Sequence, residues 1–342
     1  MKLAGIFLIV LANQGYWFGG RQNTIVVRPA VRGGLPAADI LWELSFDHVR
    51  VDRGEAAIDP DGDTTIRVTP PTVRTRVELR WDYRLIARDS GKELDRGVLL
   101  LNAFPDDLCA QLPQRLGRKR LVVWDKPTGL SELLDRAKVP YTAVRSSDRL
   151  QMIVADVVLV GPGAIGESPF EQTPLAALAD AGASIMIFRQ TTPASLMGYA
   201  LAHRDAPAAL TWLADHPLLN GFHPGDLNSC LGDRRKLWVI SLPADEPALE
   251  IGYYPPETAS NQPGPLDAVL VTKSTGAGRV VLCQLPLENW VTDPRSQMLL
   301  NNSIDYLLTR PRPTPRPSER PATRPTPPAD IPTIPLSPGD LP

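Results

Sequence analysis

Residues 120–125 read RLVVWD, residues 156–163 read DVVLVGPG and residues 182–190 read GASIMIFRQ. In each, an uninterrupted apolar run is bounded by polar residues or glycine. A strand buried on both faces has this pattern, whereas a strand with one wet face alternates. Between the runs, residues 131–138 (SELLDRAK) and residues 174–181 have helical spacing, with Ser131 expected as the N-cap of the first helix. Strand and helix in repeated alternation predict a parallel sheet covered by helices on both faces, over residues 113–309. Residues 141–144 add a strand, and residues 237–242, 248–254, 268–272 and 279–285 add later ones, the last two joined as a hairpin through 274–278. Asp293-Pro294 is a cap followed by a proline at the first helical position. It predicts a final helix turning Met298, Leu299, Ile304, Leu307 and Leu308 inward.

Upstream the period is two. Short alternating runs occur at residues 24–28, 40–46, 64–68, 76–87 and 98–103. Val77, Leu79, Trp81, Tyr83 and Leu85 fall on one face of the fourth run, and Glu78, Arg80, Asp82 and Arg84 on the other, as a half-buried antiparallel strand requires. Asp61-Gly62 and Ser90-Gly91 are expected to turn with positive φ, the second closing a hairpin. The expectation is an immunoglobulin-like β-sandwich over residues 24–112. A flavodoxin-like three-layer α/β/α domain follows over residues 113–309, so the fold class is α/β plus all-β.

The chain has 342 residues, 43% of them hydrophobic and 22% charged, enough to bury one or two full cores. A peptide, a collagen and a wholly disordered chain are excluded. Lys and Arg total 36 against 38 for Asp and Glu, a net charge of -2 that offers no general field for nucleic acid or an anionic membrane. No stretch reaches the roughly 18 apolar residues of a membrane span. Residues 3–12 are mostly apolar after Met1-Lys2. They read as a short export signal, with Val10 and Ala12 before the cut, or as a first strand over residues 6–11. The first reading implies an extracytoplasmic protein and the second a cytoplasmic one. Residues 310–342 hold twelve of the 36 prolines and five arginines, the composition of a disordered or polyproline II tail.

Cys109, Cys230 and Cys283 form neither a disulfide framework nor a CxxC clasp, and Cys283 sits inside an apolar strand. His216 and His223, with Asp215 and Asp226, have no metal-ligand spacing, so neither metal nor cofactor is expected. The carboxyl ends of neighbouring parallel strands are where α/β ligands bind. They bring Trp124, Asp125, Gly161, Pro162, Gly163, Arg189 and Gln190 to one edge, a mixture suited to a sugar or a small polar ligand. Glu167 and Glu171 form an acidic pair in the adjoining loop. The competing structural expectation is that Trp124 packs under a loop and Arg189 pairs with Glu167 or Asp125.

This arrangement resembles the class I glutamine amidotransferase-like fold, in which a sharp elbow after the second strand carries a catalytic Cys activated by a later His. Here the elbow reads Arg189-Gln190-Thr191, without cysteine, and no Gly-x-Ser-x-Gly or Gly-x-Cys-x-Gly occurs. Taken with the sandwich, LVVWDKPTGLSELL at residues 121–134 and GAGRVVLCQLP at residues 276–286, residues 24–309 resemble a C-terminal region of bacterial proteins related to family 2 glycoside hydrolases. The barrel that carries that family's catalytic carboxylates has no counterpart here, so no catalytic residue is carried over. The resemblance implies a non-catalytic accessory module, partnered by a carbohydrate or a glycoside hydrolase domain. The alternatives are a hydrolase using Glu167 or Glu171, and a carbohydrate-binding or scaffold protein.

Overall fold

The computed structural model describes residues 8–12, 15–30, 35–126, 128–205, 210, 216–231, 236–242, 250–254 and 266–309. The Pro-rich tail, residues 1–7 of the apolar N-terminus and Asp215 lie outside them. The chain is mixed α/β and rich in strand.

The N-terminal part builds two sheets from β1 (Leu8–Ala12), β2 (Tyr16–Phe18), β3 (Asn23–Pro29), β4 (Ala38–Phe46), β5 (Val49–Ala57), β6 (Thr64–Val68), β7 (Val77–Ala87) and β8 (Glu93–Phe104). One sheet has the order β1-β3-β6 and the other β2-β8-β7-β4-β5. The alternation read in β7 is realised, with Leu79, Trp81, Tyr83 and Leu85 buried. They join Ile25, Val27, Ile66 and Val68 of the smaller sheet in one core. Burial of each such side chain stabilises the fold by about 1.5–3 kcal/mol. The β7–β8 hairpin turns at Gly91, whose φ is +65°, a conformation open to glycine. Gly62 does not share the expected positive φ. It is pinned by close approach, since a Cβ there would meet the Asp59 carboxylate at 2.5 Å.

The second part begins with α1 (Leu112–Leu116), β9 (Leu121–Trp124), α2 (Leu130–Arg136), β10 (Thr142–Val144), α3 (Ser147–Leu150), β11 (Val157–Val160), α4 (Thr173–Asp180) and β12 (Ser184–Ile187). It continues with β13 (Ser195–Leu196), β14 (Tyr199–Asp205), α5 (Pro224–Leu231), β15 (Lys236–Leu242), β16 (Glu250–Tyr254), β17 (Leu266–Thr275), β18 (Gly278–Cys283) and α6 (Pro294–Leu308). The strands form one sheet in the order β10-β9-β11-β12-β18-β17-β15-β14-β13, with β16 also on β17. The first five run parallel, and β17 to β13 continue antiparallel.

Both faces of the parallel strands are covered. Val123, Leu159, Met186 and Val281 pack toward α1, α2 and α6, while Val122, Val158, Ile185 and Leu282 pack toward α3 and α4. Asp293 caps α6 by accepting from the Arg295 N–H at 2.9 Å, with Pro294 in the first turn, as the sequence predicts. The cap of α2 differs. The residue before its first turn is Gly129, at φ +88°, and the Ser131 hydroxyl instead donates to Asp125 Oδ2 at 3.4 Å. Elements β1 to α6 belong to one compact unit.

Candidate functional site at the strand ends

Because β9, β11, β12 and β18 are parallel neighbours, their carboxyl ends share one edge of the sheet. Asp125 follows β9, Gly161 follows β11, Phe188 to Gln190 follow β12 and Gln284 follows β18. Backbone bonds stitch these ends together: Gly161 N to Trp124 O at 2.8 Å, Phe188 N to Val160 O at 2.9 Å and Gly163 N to Arg189 O at 2.9 Å. Gly163 adopts φ +62°, and Gly161 lies against the Asp125 carboxylate so closely that a Cβ has no room.

Gln190 occupies the elbow. It is fully buried, and its Nε2 donates to Gly161 O at 2.9 Å and to Phe188 O at 2.6 Å. Its Oε1 accepts from Ile165 N at 3.0 Å, and its backbone N–H donates to Gln284 Oε1 at 3.3 Å. One side-chain amide therefore satisfies a buried backbone donor, the Ile165 N–H, and bonds two backbone carbonyls, of which that of Gly161 also accepts from the Ala164 N–H at 3.2 Å. Asp125 accepts from the Thr128 hydroxyl at 2.6 Å as well as from Ser131, so it holds the loop leading into α2. Lys126 Nζ donates to Gly163 O at 2.7 Å.

Asp125, Gly161, Gly163, Arg189 and Gln190 are thus brought together as expected. Three expectations are corrected. Trp124 is 2% exposed and packs in the core on the α3 and α4 face, so its ring offers nothing to an open cleft. Arg189 pairs with Glu288, not with Glu167 or Asp125. Glu167 and Glu171 are not a matched pair: Glu167 is exposed, while Glu171 Oε2 accepts from the Gly166 N–H at 2.7 Å and braces its own loop. Gln284, Glu288 and Trp290 also reach this edge, from the segment CQLPLENW that follows β18 directly and carries no local pattern marking them as site residues. Trp290 meets Phe188 edge to face at 4.8 Å, both rings being buried in the core. Gln284 is fully buried, and its Nε2 has no hydrogen-bond partner among the described residues.

Among the described residues, no exposed thiol stands at this edge. All three thiols are buried, and desolvation pushes each up to about 12, which keeps them protonated. Thr191 and Thr192 are exposed hydroxyls. The histidines lie elsewhere: His48 is exposed in the β4–β5 turn, His203 stacks on Trp238 at 5.1 Å, His216 lies against Tyr306 and the His223 backbone N–H donates to Asp226. Among the described residues, no group of three or more His, Cys, Asp or Glu could hold a metal ion. No described helix is long and apolar enough to cross a membrane.

No family model matches the sequence, and no curated protein matches it. Among solved structures, the chain is similar to a domain of the outer membrane lipoprotein Omp28 from Porphyromonas gingivalis. The TM-score is 0.24 at 14% identity, over 30% of this chain and 99% of that one. A CARDB domain from Pyrococcus furiosus scores 0.22 at 10% identity, over 31% of this chain and 99% of that one. A family 76 glycoside hydrolase from a bovine Bacteroides thetaiotaomicron strain scores 0.22 at 11% identity, over 33% of this chain and 24% of that one.

Proposed function

We propose that the chain is a non-catalytic accessory module that supports or associates with a carbohydrate-active enzyme resembling a family 2 glycoside hydrolase. In this reading the N-terminal part is an immunoglobulin-like β-sandwich. The C-terminal part is a flavodoxin-like, amidotransferase-like α/β domain that has lost its nucleophile. The observation that carries the loss is Gln190, which fills the elbow and uses its amide to tie three backbone groups of the chain itself. An elbow built to expose an attacking atom presents that atom to substrate; this one turns its side chain inward.

The alternative of a hydrolase built on Glu167 and Glu171 is weakened by the bond from Gly166 N to Glu171, which commits that carboxylate to the loop. The test is turnover by the purified chain on a panel of chromogenic glycosides and on glutamine. No turnover is expected. Hydrolysis abolished by Glu167→Gln or Glu171→Gln would overturn the reading in favour of an enzyme.

A further inference from the structure

The outward face of the five-stranded sheet is a concave surface enclosing about 1100 Å³. Its floor is a cross-strand row: Gly54, Trp42, Tyr83 and Gly97 stand opposite one another on β5, β4, β7 and β8. The two rings cover the two glycines on the inner face, where a Cβ on Gly54 would meet the Trp42 indole at 2.6 Å and one on Gly97 the Tyr83 ring at 2.5 Å. The outward rows on either side carry the charge. Five guanidiniums, Arg50, Arg53, Arg80, Arg84 and Arg96, surround three carboxylates, Glu43, Glu55 and Asp82.

Like charges directly opposite across strands destabilise a sheet, and this face holds two such pairs. Arg84 stands opposite Arg96, and Glu43 opposite Asp82. Asp82 is taken by Arg80 at 2.7 Å, and Glu43 is approached by Arg50 at 3.7 Å. The guanidiniums of Arg53 and Arg84 make no ion pair or hydrogen bond among the described residues. A cationic surplus gathered in a hollow, with two forks left open, fits an anion that bridges them.

We propose that this face binds a linear anionic glycan, a polysaccharide whose rings bear carboxylates or sulfates. A guanidinium fork donates two parallel hydrogen bonds to two oxygens of such a group. The three carboxylates accept hydrogen bonds from sugar hydroxyls, while Val98, 50% exposed, and Leu41 offer aliphatic surface to a ring. A polyphosphate meets the same carboxylates with no hydroxyl to donate. A peptide adding to a sheet pairs along an edge strand, whereas this hollow crosses four strands. Neighbouring strands lie about 4.8 Å apart, so β5 and β8 are separated by roughly 14 Å, the span of a short oligosaccharide.

The inference rests on the carbohydrate side of the proposed function and adds a place and a charge to it. The full chain is titrated by affinity electrophoresis and calorimetry with polygalacturonate and dextran sulfate, against neutral dextran and polyphosphate. One or both anionic glycans are expected to bind about tenfold more tightly than either control, with affinity falling as salt rises. The double variant Arg53→Gln, Arg84→Gln is expected to lose about tenfold with an unchanged melting temperature, because both side chains are exposed. Failure of both anionic glycans, preference for polyphosphate, or a double variant that binds like the parent overturns the proposal. Binding of dextran alone overturns it and leaves the carbohydrate role intact. Turnover of a glycoside overturns the accessory role and leaves this face untouched.

Discussion

Arg76 and Asp226, 150 residues apart in the chain, form a two-pronged ion pair that joins the N-terminal sheets to α5, with Nη1 2.5 Å from Oδ2 and Nη2 2.8 Å from Oδ1. Asp226 is 2% exposed and also accepts from the Tyr16 hydroxyl at 3.0 Å and the His223 N–H at 2.7 Å. Four donors fill the lone-pair sites of one carboxylate. Arg295, fully buried, donates to the Asp226 carbonyl at 3.0 Å and stacks over the Tyr16 ring at 4.1 Å, extending the network into α6. Removing one partner of such a pair leaves the other charge buried, at a cost of about 3–5 kcal/mol. Asp226→Ala is expected to lose that much in urea unfolding. The apolar pair Arg76→Met with Asp226→Leu should recover only the part that comes from the stranded guanidinium, because the Tyr16 hydroxyl and the His223 N–H still lose their acceptor. A single-variant loss below about 1 kcal/mol would show that the pair does not hold the two parts together.

The buried thiols make a chemical prediction. With each pKa pushed up to about 12, Cys109, Cys230 and Cys283 hold only ~0.01% thiolate at pH 8. A disulfide reagent that reports thiolate should therefore label none of the three in the folded chain and all three in denaturant. Rapid labelling of even one in the native protein would contradict the burial on which the absence of a cysteine nucleophile rests.

How much was legible depends on where each residue's partners come from. β7 could be read because alternation of inward and outward residues is local. β5 (VRVDRGEAA) carries no such pattern, because as an edge strand it has no buried face: its side chains are exposed or half-buried throughout. The parallel strands were legible as apolar runs, but a run buried on both faces does not say which way its last residue points. Trp124 ends such a run, where a ring over the cleft and a ring packed inward read alike in sequence; it packs into the core. Gln284 and Glu288 meet Gln190 and Arg189 from 94 and 99 residues away, a separation that no local pattern encodes. The residue type of Ser131 suits a cap. Asp125, six residues earlier, draws its hydroxyl instead.

Gln190→Leu isolates the elbow network. The substitution keeps the approximate volume and deletes the amide, leaving the Ile165 N–H and the carbonyls of Gly161 and Phe188 without their bonds from this side chain. An unsatisfied buried donor costs about 1–3 kcal/mol. The variant is expected to lose about 2–3 kcal/mol in chemical denaturation, with faster hydrogen exchange at the Ile165 amide. Unchanged exchange there would mean that the elbow is held by something other than Gln190.

His216 gives the fold a pH dependence of predictable sign. Its Nδ1 accepts from the Leu218 N–H at 3.2 Å, which requires the neutral ring with its proton on Nε2, and the ring lies 5.1 Å from that of Tyr306. Burial first, and the Arg279 guanidinium second, push its pKa down to about 4. The unfolded chain, with a histidine pKa of about 6.5, binds the proton more readily. Between about pH 6.5 and 4 the unfolded state therefore carries more protons, and stability falls as pH falls through that window. The group contributes its full stabilisation above the window and loses nothing further below it. For a partly exposed ring the loss is about 1–2 kcal/mol after allowance for solvent screening. His216→Gln, which keeps a side-chain acceptor and cannot titrate, is expected to remove that slope between pH 6.5 and 4. Carboxylates elsewhere act equally on parent and variant, so the difference between the two unfolding curves isolates the imidazole. Parallel curves across the window would refute the assignment.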